Sequence, residues 1–246
     1  GDVSGLLASL YMRGVGVVQI PTTVLAQLDA AIGGKTGVNL RAGKNLLGTF
    51  HQPEAVLIDP AVLGTLPERE FRAGLYEALK CGVIGNPELF THFENQKDKI
   101  LKRDPASLEW IIAESVKLKA AVVSADERES GLRRVLNFGH TIGHALETET
   151  GYRRLLHGEA VAWGMIAATN IALVTGKIDS VTAGRIADAV LGLGRLPRIS
   201  VRRGNILKRL RADKKTQLVL GVVELVELLQ LRQAAGGGVQ QAIGAI

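Results

Sequence analysis

The stretch from Arg133 to Glu147 combines residue types that bind metals and anions. If it forms a helix, with about 100° of rotation per residue, four polar side chains fall within an arc of roughly 60°: Arg133, Asn137, His140 and His144. Two imidazoles four residues apart can point into one metal site. The polar face of an ordinary amphipathic helix has the same periodicity but usually carries lysine and glutamate, so we predict a functional face.

His157 and Glu77 are further candidates. His157 stands just before an almost wholly apolar segment, which predicts a buried helix with a histidine at its mouth. That position suits a ligand and a structural helix start equally. Glu77 precedes Lys80 by three residues beside an apolar stripe, so this segment alone predicts a surface ion pair. Two histidines and a carboxylate would form a catalytic zinc-type site, but their spacing along the chain does not assemble it.

The glycines and basic residues of the first half suggest a binding site for an anion. Gly33-Gly-Lys-Thr is similar to a P-loop, but that motif needs a glycine where the chain has Asp29, so a nucleotide-hydrolysing P-loop is excluded. The glycines of 33–37 and 43 still predict a loop where backbone amides approach a ligand. Basic residues recur beside glycines and turns: Arg13, Lys35, Lys44, Lys80, Lys119 and Arg133. Convergence of several would suit a small substrate with phosphate and carboxylate groups.

The elements that must position these residues fall into two parts. The β-branched segments 15–21 and 55–59 predict two buried strands with turn and helix material between them, which indicates an α/β unit. From Leu66 the pattern changes, because Pro67 and the acids after it open a helix and helical periodicity then continues to about Arg211. We therefore predict an α/β part over residues 1–63 and an all-helical part over 64–246.

Composition narrows the range of partners. The 246 residues are 46% hydrophobic and can bury a sizeable core, and no apolar stretch is long enough to cross a bilayer. The single cysteine excludes an internal disulfide framework and fits a reducing cytoplasm. The net charge of +6 would permit nucleic acid, but the basic cluster of 195–215 has few aromatic residues for base stacking. We predict a cytoplasmic protein with neither a nucleic-acid nor a membrane partner.

Many spaced blocks of the sequence resemble the 3-dehydroquinate synthase family, in the family's order. They include Arg13-Gly, Gln19-Ile-Pro-Thr-Thr, Gly33-Gly-Lys-Thr-Gly-Val-Asn39, Gly43-Lys-Asn-Leu, Glu77-X-X-Lys80, Gly131-Leu-Arg133, Leu136-Asn-Phe-Gly-His-Thr-X-Gly-His-Ala and His157-Gly-Glu-Ala-Val. The resemblance runs from residue 1 to about Lys215. It implies a partial Rossmann-like NAD-binding half followed by a helical metal-binding domain, and a reaction that converts 3-deoxy-D-arabino-heptulosonate 7-phosphate to 3-dehydroquinate and phosphate.

The resemblance also assigns roles to residues. The ligands of zinc or cobalt would be Glu77, His140 and His157, in place of the pair of His140 and His144, and His144 would face the substrate. The substrate would be held by Lys35, Asn45, Lys80, Lys119, Arg133 and Asn137. Arg13 would reach the site of a neighbouring subunit, which implies a homodimer. Positions that contact NAD would be Asp2, Thr22, Thr23, Asp29 and Lys44.

Three alternatives stay open. The family carries a glycine-rich stretch and further strands before Gly1-Asp2, so we expect an N-terminal truncation relative to it. The chain could then be a fragment with only a binding role. Related sugar-phosphate cyclases share the metal ligands, and an aminodehydroquinate synthase would also keep Lys119 and Arg133. Metal-dependent polyol dehydrogenases share the architecture but differ more in the loop at Gly33.

Overall fold

The chain forms a short α/β segment followed by a larger set of helices. The structure is a computed structural model and describes residues 1–40, 43–127 and 131–212; the side chains at 43–45, 203, 211 and 212 also lie outside the description. The roles predicted for Lys44 and Asn45 therefore concern side chains outside the described part. Within that part, the predicted order of an α/β part before a helical part is confirmed.

The described residues of the α/β segment form one α-helix and four strands, with a 3-10 helix at Tyr11–Arg13 and a π-helix at Ala26–Ala30 between them. The α-helix and the strands are α1 (Asp2–Leu10), β1 (Val18–Gln19), β2 (Lys35–Leu40), β3 (Gly43–Phe50) and β4 (Ala55–Val56). Strands β1 and β4 pair in parallel, where the two strands were predicted, but each has only two residues. The predicted burial is wrong, since Val18 is 50% exposed. Two strands alone cannot be covered on both faces as the inner strands of a wide parallel sheet are.

The glycine-rich region is for the most part a β-hairpin, not the predicted loop. Strands β2 and β3 pair antiparallel, with Gly37 opposite Gly48 and the hydroxyls of Thr36 and Thr49 2.7 Å apart. A Cβ atom at Gly48 would lie 2.1 Å from the carbonyl oxygen of Thr36, so the glycines serve close strand contact. Of the described glycines in this region, Gly33 and Gly34 keep a loop conformation, with φ of +98° and +66°.

Helices account for the second part, and the turn at Pro67 opens the first of them as predicted. The helices are α2 (Glu68–Gly85), α3 (Pro87–Asn95), α4 (Lys97–Leu101), α5 (Pro105–Ala125), α6 (His140–Glu149), α7 (His157–Val174), α8 (Ser180–Gly192) and α9 (Arg203–Ala212). Glu68 and Glu70 occupy the first turn of α2, where their negative charges interact favourably with the helix dipole. None of the helices in the described ranges is long and apolar enough to cross a membrane.

Helix α2 lies at the centre of the core. Its apolar stripe of Phe71, Leu75 and Leu79 is completely buried, and each such side chain contributes roughly 1.5–3 kcal/mol through burial. The helix packs against α3, α5 and α7, so its polar residues are enclosed as well. A polar side chain on α2 is therefore held in a defined place, at the cost of needing a partner.

The predicted single helix over 133–147 is wrong. Residues Leu132–Asn137 form a 3-10 helix, and Gly139 has a left-handed φ of +78° just before α6 begins at His140. A close approach of α6 to α7 explains the break, because a Cβ atom at Gly164 would lie 1.8 Å from the carbonyl oxygen of Gly139. Glycine has a low helix propensity, but Gly139 and Gly164 allow the backbone before α6 and the backbone of α7 to come into contact.

Candidate active site

Three side chains from three helices meet at the centre of the helical part. Glu77 is on α2, whereas His140 and His157 are the first residues of α6 and α7. One carboxylate oxygen of Glu77, Oε1, lies 3.6 Å from Nε2 of His140 and 3.6 Å from Nε2 of His157. The three residues form a group that could hold a metal ion. The structure thus brings together the metal ligands that the resemblance implied.

The donor set fits a divalent cation. Oε1 of Glu77 is fully buried and has no hydrogen-bond partner within the described residues, which is costly unless something positive binds it. In a tetrahedral zinc site with bonds of about 2.0–2.1 Å, neighbouring ligand atoms lie about 3.3 Å apart, close to the separations seen here. One carboxylate and two imidazoles are also a donor set that zinc accepts in catalytic sites.

The two histidines differ in their electrostatic surroundings. Burial lowers the pKa of His140 well below its ordinary value, and the nearby Lys80 ammonium adds to that effect. His140 is therefore neutral, and the carbonyl of Phe138, 3.2 Å from Nδ1, leaves Nε2 to face Glu77. Burial alone would lower the pKa of His157 too, but the carboxylates of Glu147 and Glu77 outweigh it and raise the pKa.

Glu77 forms the predicted ion pair with Lys80, but the prediction that this pair lies at the surface is wrong. Lys80 does donate to Oε2 of Glu77, at 2.5 Å, but the two side chains are 2% and 0% exposed. Burial by itself would lower the pKa of Lys80, yet Glu77 and Asp29 outweigh it and raise the pKa above its ordinary value. Lys80 is therefore positively charged at neutral pH, next to the group of Glu77, His140 and His157. One helical stripe could not reveal this, because α2 is covered from several sides.

A cavity of about 400 Å³ opens beside this cluster, between the two parts of the chain. We call its two sides the α/β wall and the helical wall. The α/β wall consists of Asp2, Leu25, Asp29, Ala30, Ile32, Lys35 and Asn39. The helical wall consists of Lys80, Lys119, Arg133, Leu136, Asn137, His140, His144, Glu147 and His157. Six of the predicted substrate contacts therefore converge on one space, together with two of the predicted NAD contacts, Asp2 and Asp29.

Lys119 joins the two walls. From α5, its ammonium donates to Oδ1 of Asp29 at 2.6 Å and also to the backbone carbonyl of Asp29. Burial alone would raise the pKa of Asp29, but Lys119 and Lys80 outweigh it and hold the pKa well below its usual value. The carboxylate is ionised at neutral pH, so this contact is a full ion pair.

Arg133 makes a second connection between the walls. Its guanidinium donates to the carbonyl of Glu127 at 2.5 Å and to the carbonyl of Gly33, on the α/β side, at 3.2 Å. Position 33 needs glycine, because a Cβ atom there would lie 2.6 Å from Nη2 of Arg133 and the backbone has a positive φ. The side chain is buried and held by backbone carbonyls, which leaves its charge uncompensated by a carboxylate at these contacts.

Three predicted site residues lie away from the cavity. Arg13 is exposed and follows Met12 in a turn where both have positive φ. Thr22 is exposed, and the hydroxyl of Thr23 accepts a hydrogen bond from the amide of Ala26 at 3.1 Å, which caps the helical turn there. The roles predicted for these residues stay predictions.

Glu147 is the cavity residue that the sequence reasoning missed. It is 2% exposed, and Oε1 lies 3.4 Å from Nδ1 of His157. A signal existed, because Glu147 follows His140 by seven residues, two turns of a helix, and so shares its face. Asn39, the last residue of the motif that begins at Gly33, also lines the cavity.

Comparison with known proteins agrees with the resemblance. A profile of the 3-dehydroquinate synthase C-terminal family matches residues 74–216, and one of the 3-dehydroquinate synthase N-terminal family matches residues 1–73. A 3-dehydroquinate synthase of Koribacter versatilis is 60% identical over 92% of this chain and 61% of its own length. That of Solibacter usitatus is 55% identical over 92% of this chain and 63% of its own length. The chain thus spans somewhat over three fifths of these relatives.

Solved structures with the same fold include two other cyclases. A 2-epi-5-epi-valiolone synthase from Streptomyces hygroscopicus, with NAD+ and Zn2+ bound, has a TM-score of 0.80 and 34% identity over 87% of this chain and 60% of its own. A 2-deoxy-scyllo-inosose synthase complexed with carbaglucose-6-phosphate, NAD+ and Co2+ has a TM-score of 0.77 and 31% identity over 87% of this chain and 59% of its own. With family profiles covering residues 1–216, the chain belongs to the 3-dehydroquinate synthase family.

Proposed function

We propose that this chain catalyses the 3-dehydroquinate synthase reaction, from 3-deoxy-D-arabino-heptulosonate 7-phosphate to 3-dehydroquinate and phosphate. The observation that carries the proposal is the buried Oε1 of Glu77, directed at nitrogens of two imidazoles that line a cavity rich in cations. Sixty per cent identity to a relative that bears this name supports the choice of reaction.

The metal would be zinc or cobalt, held by Glu77, His140 and His157. When bound, such an ion polarises substrate oxygens as a Lewis acid. Three protein ligands leave a coordination position open toward the cavity, as in catalytic zinc sites. Lys80 would keep Glu77 oriented through the second carboxylate oxygen, so that Oε1 remains directed at the histidines.

NAD would be the second cofactor, and it would take up and return a hydride. Two carboxylates on the α/β wall fit it in part, because acidic side chains accept hydrogen bonds from ribose hydroxyls. These are Asp2, whose pKa burial raises, and Asp29, which Lys119 holds ionised. Thr22, Thr23 and Lys44 complete the proposed NAD contacts, by resemblance alone.

The substrate carries a phosphate and a carboxylate, and the cations of the cavity suit both. Lys35, Lys80, Lys119 and Arg133 come from both walls, and Asn137 adds an amide. Asn45 is proposed as a further contact by resemblance. Holding both charged ends makes the later steps intramolecular, which lowers their entropic cost. His144, whose ring centroid lies 5.4 Å from that of His140, would carry protons at the substrate.

A related cyclase reaction is the main alternative. The solved cyclases of other specificity are 34% and 31% identical, well below the relatives named 3-dehydroquinate synthase. Lys119 and Arg133 also favour a carboxylate-bearing substrate. An aminodehydroquinate synthase would keep these cations, so only substrate comparison separates it. Activity with the amino-substituted substrate alone would favour that alternative.

Assembly as a homodimer in the cytoplasm belongs to the same proposal. Arg13 would enter the partner's site, which its exposed position beyond its own cavity would permit. Leu10, Tyr11 and Met12 beside it are 64%, 60% and 73% exposed, as expected for a surface that becomes covered. We propose no nucleic-acid or membrane partner. A cytoplasmic location fits the single cysteine, Cys81, which is buried and reduced.

Phosphate release tests the function directly. The chain is incubated with 3-deoxy-D-arabino-heptulosonate 7-phosphate, NAD and Zn2+, with and without a chelator, and inorganic phosphate is measured. We expect release that the chelator abolishes and that Glu77→Gln lacks. Zinc content after dialysis is measured in parallel. Zinc bound without phosphate release would show that this chain holds the metal but does not carry out the reaction.

A further inference from the structure

His157 is contacted at both ring nitrogens by carboxylates. Nε2 faces Oε1 of Glu77 at 3.6 Å, and Nδ1 faces Oε1 of Glu147 at 3.4 Å. Glu147 is 2% exposed, so its charge is removed from water. A buried carboxylate needs donors to remain ionised, and the imidazole N–H is one.

The fold places Glu147 there through the packing of α6 on α7. His140 and Glu147 lie two turns apart on the same face of α6, and His157 begins α7 opposite that face. One helix therefore supplies a proposed metal ligand at its start and a carboxylate near its end. Both point to the one site that α7 also reaches.

A second metal site is a competing explanation, because His144, Glu147 and His157 could also hold an ion. Nδ1 is the nitrogen of His157 that faces Glu147 and would serve that site, whereas Nε2 faces Glu77. A neutral imidazole has one donor nitrogen and one acceptor nitrogen. If the lone pair of Nε2 is directed toward Glu77, the ring proton is on Nδ1, and the carboxylate of Glu147 accepts a hydrogen bond from Nδ1–H.

The other histidine follows the same plan. Nδ1 of His140 lies 3.2 Å from the carbonyl of Phe138, and its Nε2 faces Glu77. Each imidazole thus has an acceptor at Nδ1 and the same carboxylate oxygen at Nε2. Metal-binding histidines usually donate their second N–H to a carboxylate or carbonyl, which fixes the ring and makes it a better ligand.

We propose that Glu147 is a positioning residue that fixes His157 as the Nδ1–H tautomer and aims its Nε2 at the metal. The inference rests on the proposed metal centre. Glu147 would not contact the ion directly, and His144, Glu147 and His157 would belong to the same site as Glu77 and His140.

The tautomer is measured without metal. Histidine-labelled protein is studied by long-range 1H–15N spectra at increasing pH until the ring signals of His157, whose pKa is raised, no longer change, and His157→Gln identifies the signal. We expect His157 as the Nδ1–H tautomer in the parent and a mixture of tautomers in Glu147→Ala. An Nε2–H tautomer in the parent would overturn the proposal. The expected tautomer in a chain that binds no Zn2+ would refute the proposed metal centre and leave supported only that Glu147 fixes the tautomer of His157.

Metal affinity provides the second readout. Zn2+ is titrated in competition with a chromogenic chelator, and the visible spectrum of Co2+ reports the ligand geometry. We expect Glu147→Gln to weaken Zn2+ binding by about 10- to 100-fold and to change the Co2+ bands. The matched control is Glu149→Gln, on the same helix, whose carboxylate contacts Asn205 on α9 instead. Equal affinities of the two variants would overturn the proposal.

Discussion

The helical wall and the α/β wall of the cavity are built in different ways. On the helical wall, side chains project from helices packed around α2, most of which is buried, and Glu77 meets its partners within one core. The α/β wall rests on two-residue strands and a hairpin with large exposed apolar side chains, including Leu46 and Leu47. The proposed metal centre, which needs precise ligand geometry, is thus on the better-packed side.

The α/β wall depends on the helical wall for its position. Lys119 and Arg133 reach across the cavity to Asp29 and Gly33, and both are also proposed to bind the substrate. The same cations therefore hold the walls together and face the cavity. Changes within the helical core should abolish the site, whereas changes at these connections should loosen it.

The largest effect is expected from Gly164→Ala. The added Cβ would lie 1.8 Å from the carbonyl oxygen of Gly139, and the backbones of α6 and α7 would have to separate. Overpacking against backbone should cost about 3 kcal/mol or more of the free energy of unfolding. Urea denaturation and Zn2+ affinity are measured together, because His140 and His157 begin these two helices.

The matched control is Gly184→Ala, also within a helix, where no atom lies within 4 Å of the added Cβ. It should stabilise by up to about 1 kcal/mol through helix propensity. Equal stability of the two variants would show that α6 and α7 do not depend on their close contact, and the contrast between the walls would lose its basis.

The connection between the walls is tested with Lys119→Met. Breaking a buried ion pair costs about 3–5 kcal/mol, and the 27% exposure of the Asp29 side chain reduces the expected loss to about 1–2 kcal/mol. Lys119→Met with Asp29→Asn should recover part of the stability, but not phosphate release. The control Lys117→Met removes an exposed pair with Glu114 on the same helix and should change little. No coupling in the double-variant cycle would contradict the proposed connection.

The sequence predicted the helical wall better than the α/β wall, and the errors have physical causes. The stripe of Phe71, Leu75 and Leu79 located α2 correctly, but periodicity within one helix cannot show that other helices cover its opposite face. Glu77 was therefore expected at the surface, and only the resemblance assigned it to the metal. The helix predicted over 133–147 began too early, because Gly139 has a left-handed conformation and α6 begins only after it. This conformation accompanies the contact of Gly139 with Gly164 of α7, twenty-five residues further along the chain, which the local sequence does not reveal.

The loss of stability in acid is a second test of the connection between the two walls. Asp29 has a pKa below its usual value in the folded state, so it contributes stability above the unfolded value of about 3.9 and this stability is lost as the pH falls. The parent chain should therefore lose stability steeply between about pH 5 and pH 2. Lys119→Met should show a shallower loss in urea denaturation across this range. Identical profiles would mean that another cation holds Asp29 ionised.

The smallest effect is expected at Thr23, on the α/β side. Its hydroxyl caps the turn at Ala26, so Thr23→Ala should cost about 0.5–1 kcal/mol and Thr23→Ser should restore most of it. The two variants also test the proposed NAD contact. If the hydroxyl binds NAD, only Thr23→Ala should raise the NAD concentration needed for half-maximal phosphate release. A loss of stability without that change would make Thr23 a cap of the helical turn alone and would refute its proposed contact with NAD.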